Sequence, residues 1–322
     1  KERQIMKKWM WLRNNAELEK NFLLHTENIK QAGIDAILFS GSIEAIEKLI
    51  PITQKLKIEL HIWSITGICS DPEIIKNHPD WFMLNRNGES CLQNPPYVDY
   101  YKWLCPSKLE VKKYLTERIV KLCSYPEIAG IHLDYIRYPD VILPVAIQPE
   151  YNLHQTHEEP QFDYCYCPEC RQQFSAKTGI DPLDLQSPST HTNWLKFRYD
   201  NITNLVNSLA KIVRPKLFSA AVFPTPKIAK ELVRQDWTAW DIDAIFPMIY
   251  HKFYDENIEW IKTATKIDVQ KLSSKTKLIP GLFLPHLTPD ELPIAMQKAM
   301  ESGANSIAFF DYDAEKIMKH PF

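Results

Sequence analysis

The sequence predicts one α/β domain over residues 1–322, a (β/α)₈ barrel with long loops after its third and fourth strands. Three observations predict it. Short apolar runs recur along the chain, near-continuous in Val, Ile, Leu and Phe, as parallel strands covered on both faces should be. Between them lie helix-period patterns, such as Val111, Leu115, Ile119 and Leu122, or Trp194, Phe197, Leu205, Leu209 and Ile212. No Gly-x-Gly-x-x-Gly follows any run, which leaves the open dinucleotide-binding sheet without support.

In chain order the strand candidates are "KKWMWLR", "GIDAILFSG", "KIELHIWSITG", "IAGIHLDYIRYP", "LFSAAVFP", "IDAIFPMIY", "KLIPGLFLP" and "NSIAFFDYD". Prolines follow several of them, as at Pro139, Pro224 and Pro285, where they stop a strand. The first run ends in Arg13. On the third, Ile58, Leu60 and Ile62 are expected to face the helices, which puts Glu59, His61 and Trp63 inside the barrel. The same parity on the fourth sends Ile131, Leu133 and Tyr135 outward and His132 and Asp134 inward. Asp134 then stands at the catalytic rim, where a buried carboxylate needs company. Arg137 is expected to orient it. The sixth run offers Tyr250 and His251, of which one can point inward. The eighth offers Asp311 and Asp313, and Asp311 is the expected second carboxylate.

In a barrel, the loops leaving the C-terminal strand ends build the site. Two are unusually long, 67–106 and 139–188, and both are rich in Tyr, Trp, Asn and His. Loops of that length in a compact domain are generally functional or structured in their own right. The second carries "YCYCPECRQQF", with Cys165, Cys167 and Cys170 close enough on one turn to wrap a tetrahedral ion. Cys105, at the end of the first long loop, is the expected fourth ligand. A closed four-thiolate site would hold a structural, non-catalytic Zn²⁺ and staple the loops together. A disulfide pair with free thiols is the alternative.

The net charge is −2, and no basic run is interleaved with aromatics, so a nucleic-acid surface is not expected. At 11% aromatic residues the chain suits a neutral, sugar-like ligand better than a polyanion. No apolar stretch is long enough to span a membrane. The chain begins at Lys1, which raises the expectation that an N-terminal segment, such as an export signal, preceded it.

Three segments carry a family resemblance: "HPDWFMLNRNGE" with "WLCPSKLEVKKYL", "AGIHLDYIRYP", and "QDWTAWDIDAIFPMIYH". Together they resemble the glycosyl-hydrolase-like family 10 proteins, and the likeness runs in order over most of the chain. It implies a (β/α)₈ barrel that hydrolyses a glycosidic bond in a polysaccharide, some relatives being linked to peptidoglycan glycan strands and to export to the periplasm or cell surface. Asp134 matches the acidic position on that family's fourth strand. Where the family often has a second acidic residue beside it, this chain has Tyr135. The strand is also distantly similar to the chitinase-type "DGIDIDWEYP", whose acid falls at Ile136 here, so that mechanism is not available. "PMIY" resembles the sixth-strand tyrosine segment of those enzymes and implies ligand contact by Tyr250. The Cys-x-Cys-x-x-Cys segment and the upstream Cys105-Pro106 resemble the zinc loop of family 42 β-galactosidases, and only that metal site carries over.

The expected function is a retaining or substrate-assisted glycoside hydrolase acting on an oligosaccharide or polysaccharide. Asp134 and Asp311 are the expected catalytic carboxylates. Arg13, His61, Trp63, Arg137, Tyr250 and His251 are expected to line the sugar site. The competing expectation is a carbohydrate-binding barrel without catalysis.

Overall fold

The computed structural model describes residues 6–313; the two ends of the 1–322 span lie outside the described residues. All strands run parallel in one sheet. They are β1 (Lys8–Arg13), β2 (Ala36–Ser40), β3 (Glu59–Ile65), β4 (Gly130–Asp134), β5 (Leu217–Val222), β6 (Ala244–Pro247), β7 (Lys277–Leu278), β8 (Gly281–Phe283) and β9 (Ile307–Phe310). β7 and β8 are two halves of the seventh barrel strand, interrupted at Pro280, which has no N–H to give to the ladder. The first half pairs with β6 and the second with β9, while Met248 bridges to Gly281. β9 returns to β1, so the sheet closes on itself. Each expected strand is therefore present in its expected place, and the fold is the (β/α)₈ barrel.

Helices cover the outside, among them Ile43–Leu56, Leu109–Cys123 and Thr192–Val213. The parity of β4 explains the two-layer core. Ile131 and Leu133 belong to the layer between sheet and helices, whereas the barrel interior holds Trp9, Trp11, Leu38, Trp63, Phe246 and Ile279. Buried indoles need a partner for their N–H, and each inner tryptophan has one. Trp9 donates to Ser306 Oγ at 2.9 Å, Trp11 to His132 Nε2 at 3.0 Å, and Trp63 to Asp134 Oδ2 at 2.8 Å. Large rings fit because small residues face them. A Cβ on Gly281 would stand 2.9 Å from the Trp11 ring.

Two segments, 66–108 and 135–191, project beyond the C-terminal strand ends before the chain enters the helices Leu109–Cys123 and Thr192–Val213. Short antiparallel bridges hold them, Ile68 to Trp103 and Phe82 to Leu104 within the first, and Asn85 to Tyr164 between the two. No helix among the described residues is long and apolar enough to cross a membrane.

Candidate active site

β4 delivers Asp134 to the C-terminal rim, and the chain turns sharply there. Tyr135 has φ 51°, a left-handed conformation that is costly for a bulky residue. The turn brings the Tyr135 N–H onto Asp134 Oδ1 at 2.6 Å, while Trp63 holds the other oxygen. It also corrects the strand-parity expectation. Tyr135 does not continue outward but swings into the cavity lining. Gly67 makes room for this, since a Cβ there would lie 2.1 Å from the Tyr135 carbonyl oxygen. Burial pushes the Asp134 carboxyl above the ordinary carboxylate range, and the hydrogen bonds from Tyr135 and Trp63 offset only part of the effect.

Asp134 opens into a cavity of about 210 Å³. Its wall is largely aromatic, with Trp63, Tyr97, Tyr101, Tyr135, Tyr250, Tyr254, Phe223 and Phe310, and it includes Arg13, Arg137 and a second carboxylate, Asp140. Tyr97 and Tyr101 come from the first long loop, Arg137 and Asp140 from the second. Arg137 does not hydrogen-bond Asp134. Its Nη1 donates to Asp140 Oδ2 and to the Tyr138 carbonyl, both at 2.9 Å, which corrects the expectation that it orients Asp134. Its guanidinium carbon lies 4.9 Å from the ring centroids of both Trp103 and Phe223. Burial works against the Arg137 charge, but Asp140 and the neighbouring tyrosines outweigh it and hold the guanidinium protonated.

The remaining expected residues divide by height along the barrel. Trp63, Arg13 and Tyr250 line the cavity, with the Arg13 guanidinium 5.3 Å from the Trp63 ring centroid. Tyr250 packs on Phe283 and stacks with Phe310. His61 lies inside the barrel but at its opposite end, bonded to Glu59 and edge-on to Trp9, so it is not part of this wall. Parity gives the face of a strand, not the distance from the rim. His251 is not part of the cavity lining, and its ring lies 6.1 Å from that of His286. Asp311 follows β9 into an exposed position outside the cavity lining, although its charge is felt at Tyr250. His132 links Trp11 to Ser219 Oγ, and burial keeps it neutral, which makes it part of the floor beneath Asp134.

Asp140 escaped the sequence reading although it closes the stretch "DYIRYPD". The signal was its place three residues after Arg137, a spacing that lets a turn pair the two charges.

The four cysteines Cys105, Cys165, Cys167 and Cys170 are all buried, and their sulfurs lie within 4.8 Å of one another. Cys105 Sγ is 3.6 Å from that of Cys167 and 3.5 Å from that of Cys170. Tetrahedral thiolates at about 2.3 Å from one ion sit close to this spacing. So the donor set fits a metal ion, whereas a disulfide would need one sulfur pair near 2.05 Å. The mutual contacts depress the Cys167 thiol, while burial holds Cys165 high and the contact with Cys105 holds Cys170 high.

Solved structures share this architecture. The glycoside hydrolase domain of PgaB (BpsB) from Bordetella bronchiseptica superposes with TM-score 0.71 at 11% identity, over 98% of this chain and 99% of that one. A β-galactosidase from the Antarctic haloarchaeon Halorubrum lacusprofundi gives TM-score 0.72 at 11% identity, over 95% of this chain and 53% of that one. This chain thus spans about half the length of that enzyme. The β-amylase catalytic domain from Paenibacillus polymyxa gives TM-score 0.63 at 12% identity, with 98% and 95% covered. At such identities the likeness concerns the fold. No curated protein matches the sequence. Residues 40–284 match the family described as glycosyl hydrolase-like 10, and the chain belongs to that family.

Proposed function

We propose that this protein hydrolyses a glycosidic bond in an oligosaccharide or polysaccharide, with Asp134 as the central carboxyl group. The observation that carries the reading is the environment of Asp134. Its carboxyl is buried at the rim of an aromatic cavity and shifted towards the protonated form. A carboxyl so placed suits a general acid that protonates the leaving glycosidic oxygen. Each Asp134 oxygen accepts one N–H bond and keeps a lone pair for the cavity. Asp140, paired with Arg137, replaces Asp311 in this proposal as the second carboxylate, because it shares the cavity wall with Asp134. Sugar rings would pack on Tyr135, Tyr250 and Trp63, whose faces suit the apolar side of a pyranose.

The cysteine cluster is assigned a structural Zn²⁺. All-thiolate sites are closed and leave no open position for a water nucleophile. Cys105 lies near the end of the first long segment and the other three ligands lie in the second, so the ion would fix the two walls of the cavity against each other.

A carbohydrate-binding barrel without hydrolysis has one observation in its favour. Arg137 already claims Asp140, so this carboxylate is less free to act as a base. Incubating wild type and Asp134→Asn with a panel of polysaccharides, including peptidoglycan strands and chitin-like oligomers, and weighing the products decides between them. Cleavage of one glycan that is lost in the variant supports the hydrolase. Retention of a glycan without cleavage by either protein supports the binding barrel.

A further inference from the structure

The aromatic cavity, at about 210 Å³, is smaller than the roughly 300–1,000 Å³ that enclose a typical small-molecule ligand. A chain of sugars seated on Asp134 must continue elsewhere. Beside the cavity lies a wider depression of about 740 Å³, and the two linings share Arg13 and Tyr135. The exposed Tyr100 stands in the wall of this depression, and Arg118 enters it from the helix Leu109–Cys123.

The depression is distinguished by its arginines. Arg137, Arg171, Arg198, Arg214 and Arg234 each carry a carboxylate partner. Arg13, Arg86 and Arg118 have none within ion-pair distance among the described residues, and Arg86, which lies away from this depression, gives its Nη2 to the Leu185 carbonyl at 2.8 Å. Arg13 lies over Trp63, and Arg118 lies 5.5 Å from the Tyr114 ring centroid with one N–H at 3.4 Å from the Ile65 carbonyl. Ring contacts of this kind hold a guanidinium in place while leaving most of its donors free. Asp71 also reaches the wall, but it caps its own helix by accepting the Glu73 N–H at 2.9 Å.

The geometry points to an anionic subsite, in which Arg13 and Arg118 take the carboxylate of the sugar next to the one seated on Asp134. A planar guanidinium fork matches a carboxylate in two parallel hydrogen bonds. Two substituents present that group, a uronic acid C6 carboxylate and a lactyl ether carboxylate as on muramic acid. This assignment rests on the proposed glycan site and narrows its substrate class to acidic glycans.

The test is calorimetric titration of the full chain, carrying Asp134→Asn to block turnover, with matched oligosaccharides. One series bears uronates and the other lactyl ethers, each beside its carboxyl-reduced, neutral counterpart. The expected result is binding of one acidic series on the order of tenfold tighter than its neutral counterpart, as a charge-assisted hydrogen bond provides. That preference should collapse with Arg118→Gln or Arg13→Gln and partly return with Arg118→Lys. The series that shows it identifies the source of the carboxylate. Equal binding of acidic and neutral forms overturns the subsite and leaves the glycan site standing. A preference that survives both glutamine variants also overturns it. Failure of all the oligosaccharides to bind overturns the subsite together with the reading on which it rests.

Discussion

Trp63 and Asp134, neighbours across the β3–β4 step, are joined by an indole N–H donated to Oδ2 at 2.8 Å, at the one level of the barrel where the packed interior meets the cavity. That donor favours the ionised carboxylate, against the burial that pushes the carboxyl up. Trp63→Phe keeps an aromatic ring but removes the donor. The Asp134 pKa should then rise further, moving the limb of the pH–rate profile that Asp134 controls to higher pH. Stability should fall by about 1 kcal/mol for the lost hydrogen bond. A profile that keeps its shape and position in the variant would remove Asp134 from the chemistry.

Arg137 and Asp140 form a buried ion pair, and removing one member leaves an uncompensated charge, at about 3–5 kcal/mol. Arg137→Met and Asp140→Asn should each lower the denaturant midpoint, and Asp140→Asn should also cost roughly two to four orders of magnitude in kcat. The double change Arg137→Met with Asp140→Leu separates the two roles. Replacing a whole buried pair by apolar groups is often neutral for stability. The midpoint should therefore recover while activity stays lost. Recovery of both would make the pair purely structural.

The barrel was legible in the sequence because its signal is repeated. Periodicity marks each strand, and the parity of β4 separates Asp134 and His132 from Ile131 and Leu133. The cysteine cluster was legible because spacing alone brings three ligands to one turn. The cavity wall was less so, and for identifiable reasons. Alternation fails at Tyr135, where a left-handed φ re-aims the side chain. It gives no height, so His61 was placed in the sugar site although it sits beside Glu59 at the other end, where the His61 hydrogen bond helps hold that carboxylate down to about 2. Tyr97, Tyr101 and Asp140 lie on loops, where contacts join residues far apart in sequence; Tyr97 gives its hydroxyl to the Asp140 carbonyl at 2.9 Å.

The sulfurs of Cys105, Cys165, Cys167 and Cys170 converge in a closed, buried set. Metal analysis of the purified protein should give one zinc per chain. Cys167→Ser, or prolonged chelation, should lower the thermal midpoint, corresponding to about 4 kcal/mol or more of stability. Because the ion would join the two loop segments, activity should fall with it, through misplacement of Tyr97, Tyr101 and Asp140. Zinc-free protein with unchanged melting would leave the cluster as four packed thiols.

Asp268 is fully buried in the helix Glu259–Lys271, and among the described residues neither of its carboxyl oxygens has a hydrogen-bond partner. Burial pushes its pKa well up, and the nearby Thr225 amide offsets little of this. A carboxyl with a raised folded-state pKa contributes stability below its unfolded pKa, near 3.9, and loses it as pH rises through the folded value. Asp268→Asn keeps the shape and abolishes this titration. The variant should therefore gain on wild type as pH rises, by about 1 kcal/mol or more at pH 8. The difference should become constant below about pH 4. Paired thermal or denaturant melts across that range measure it. A difference that does not change with pH would mean that Asp268 titrates alike in the folded and unfolded chain.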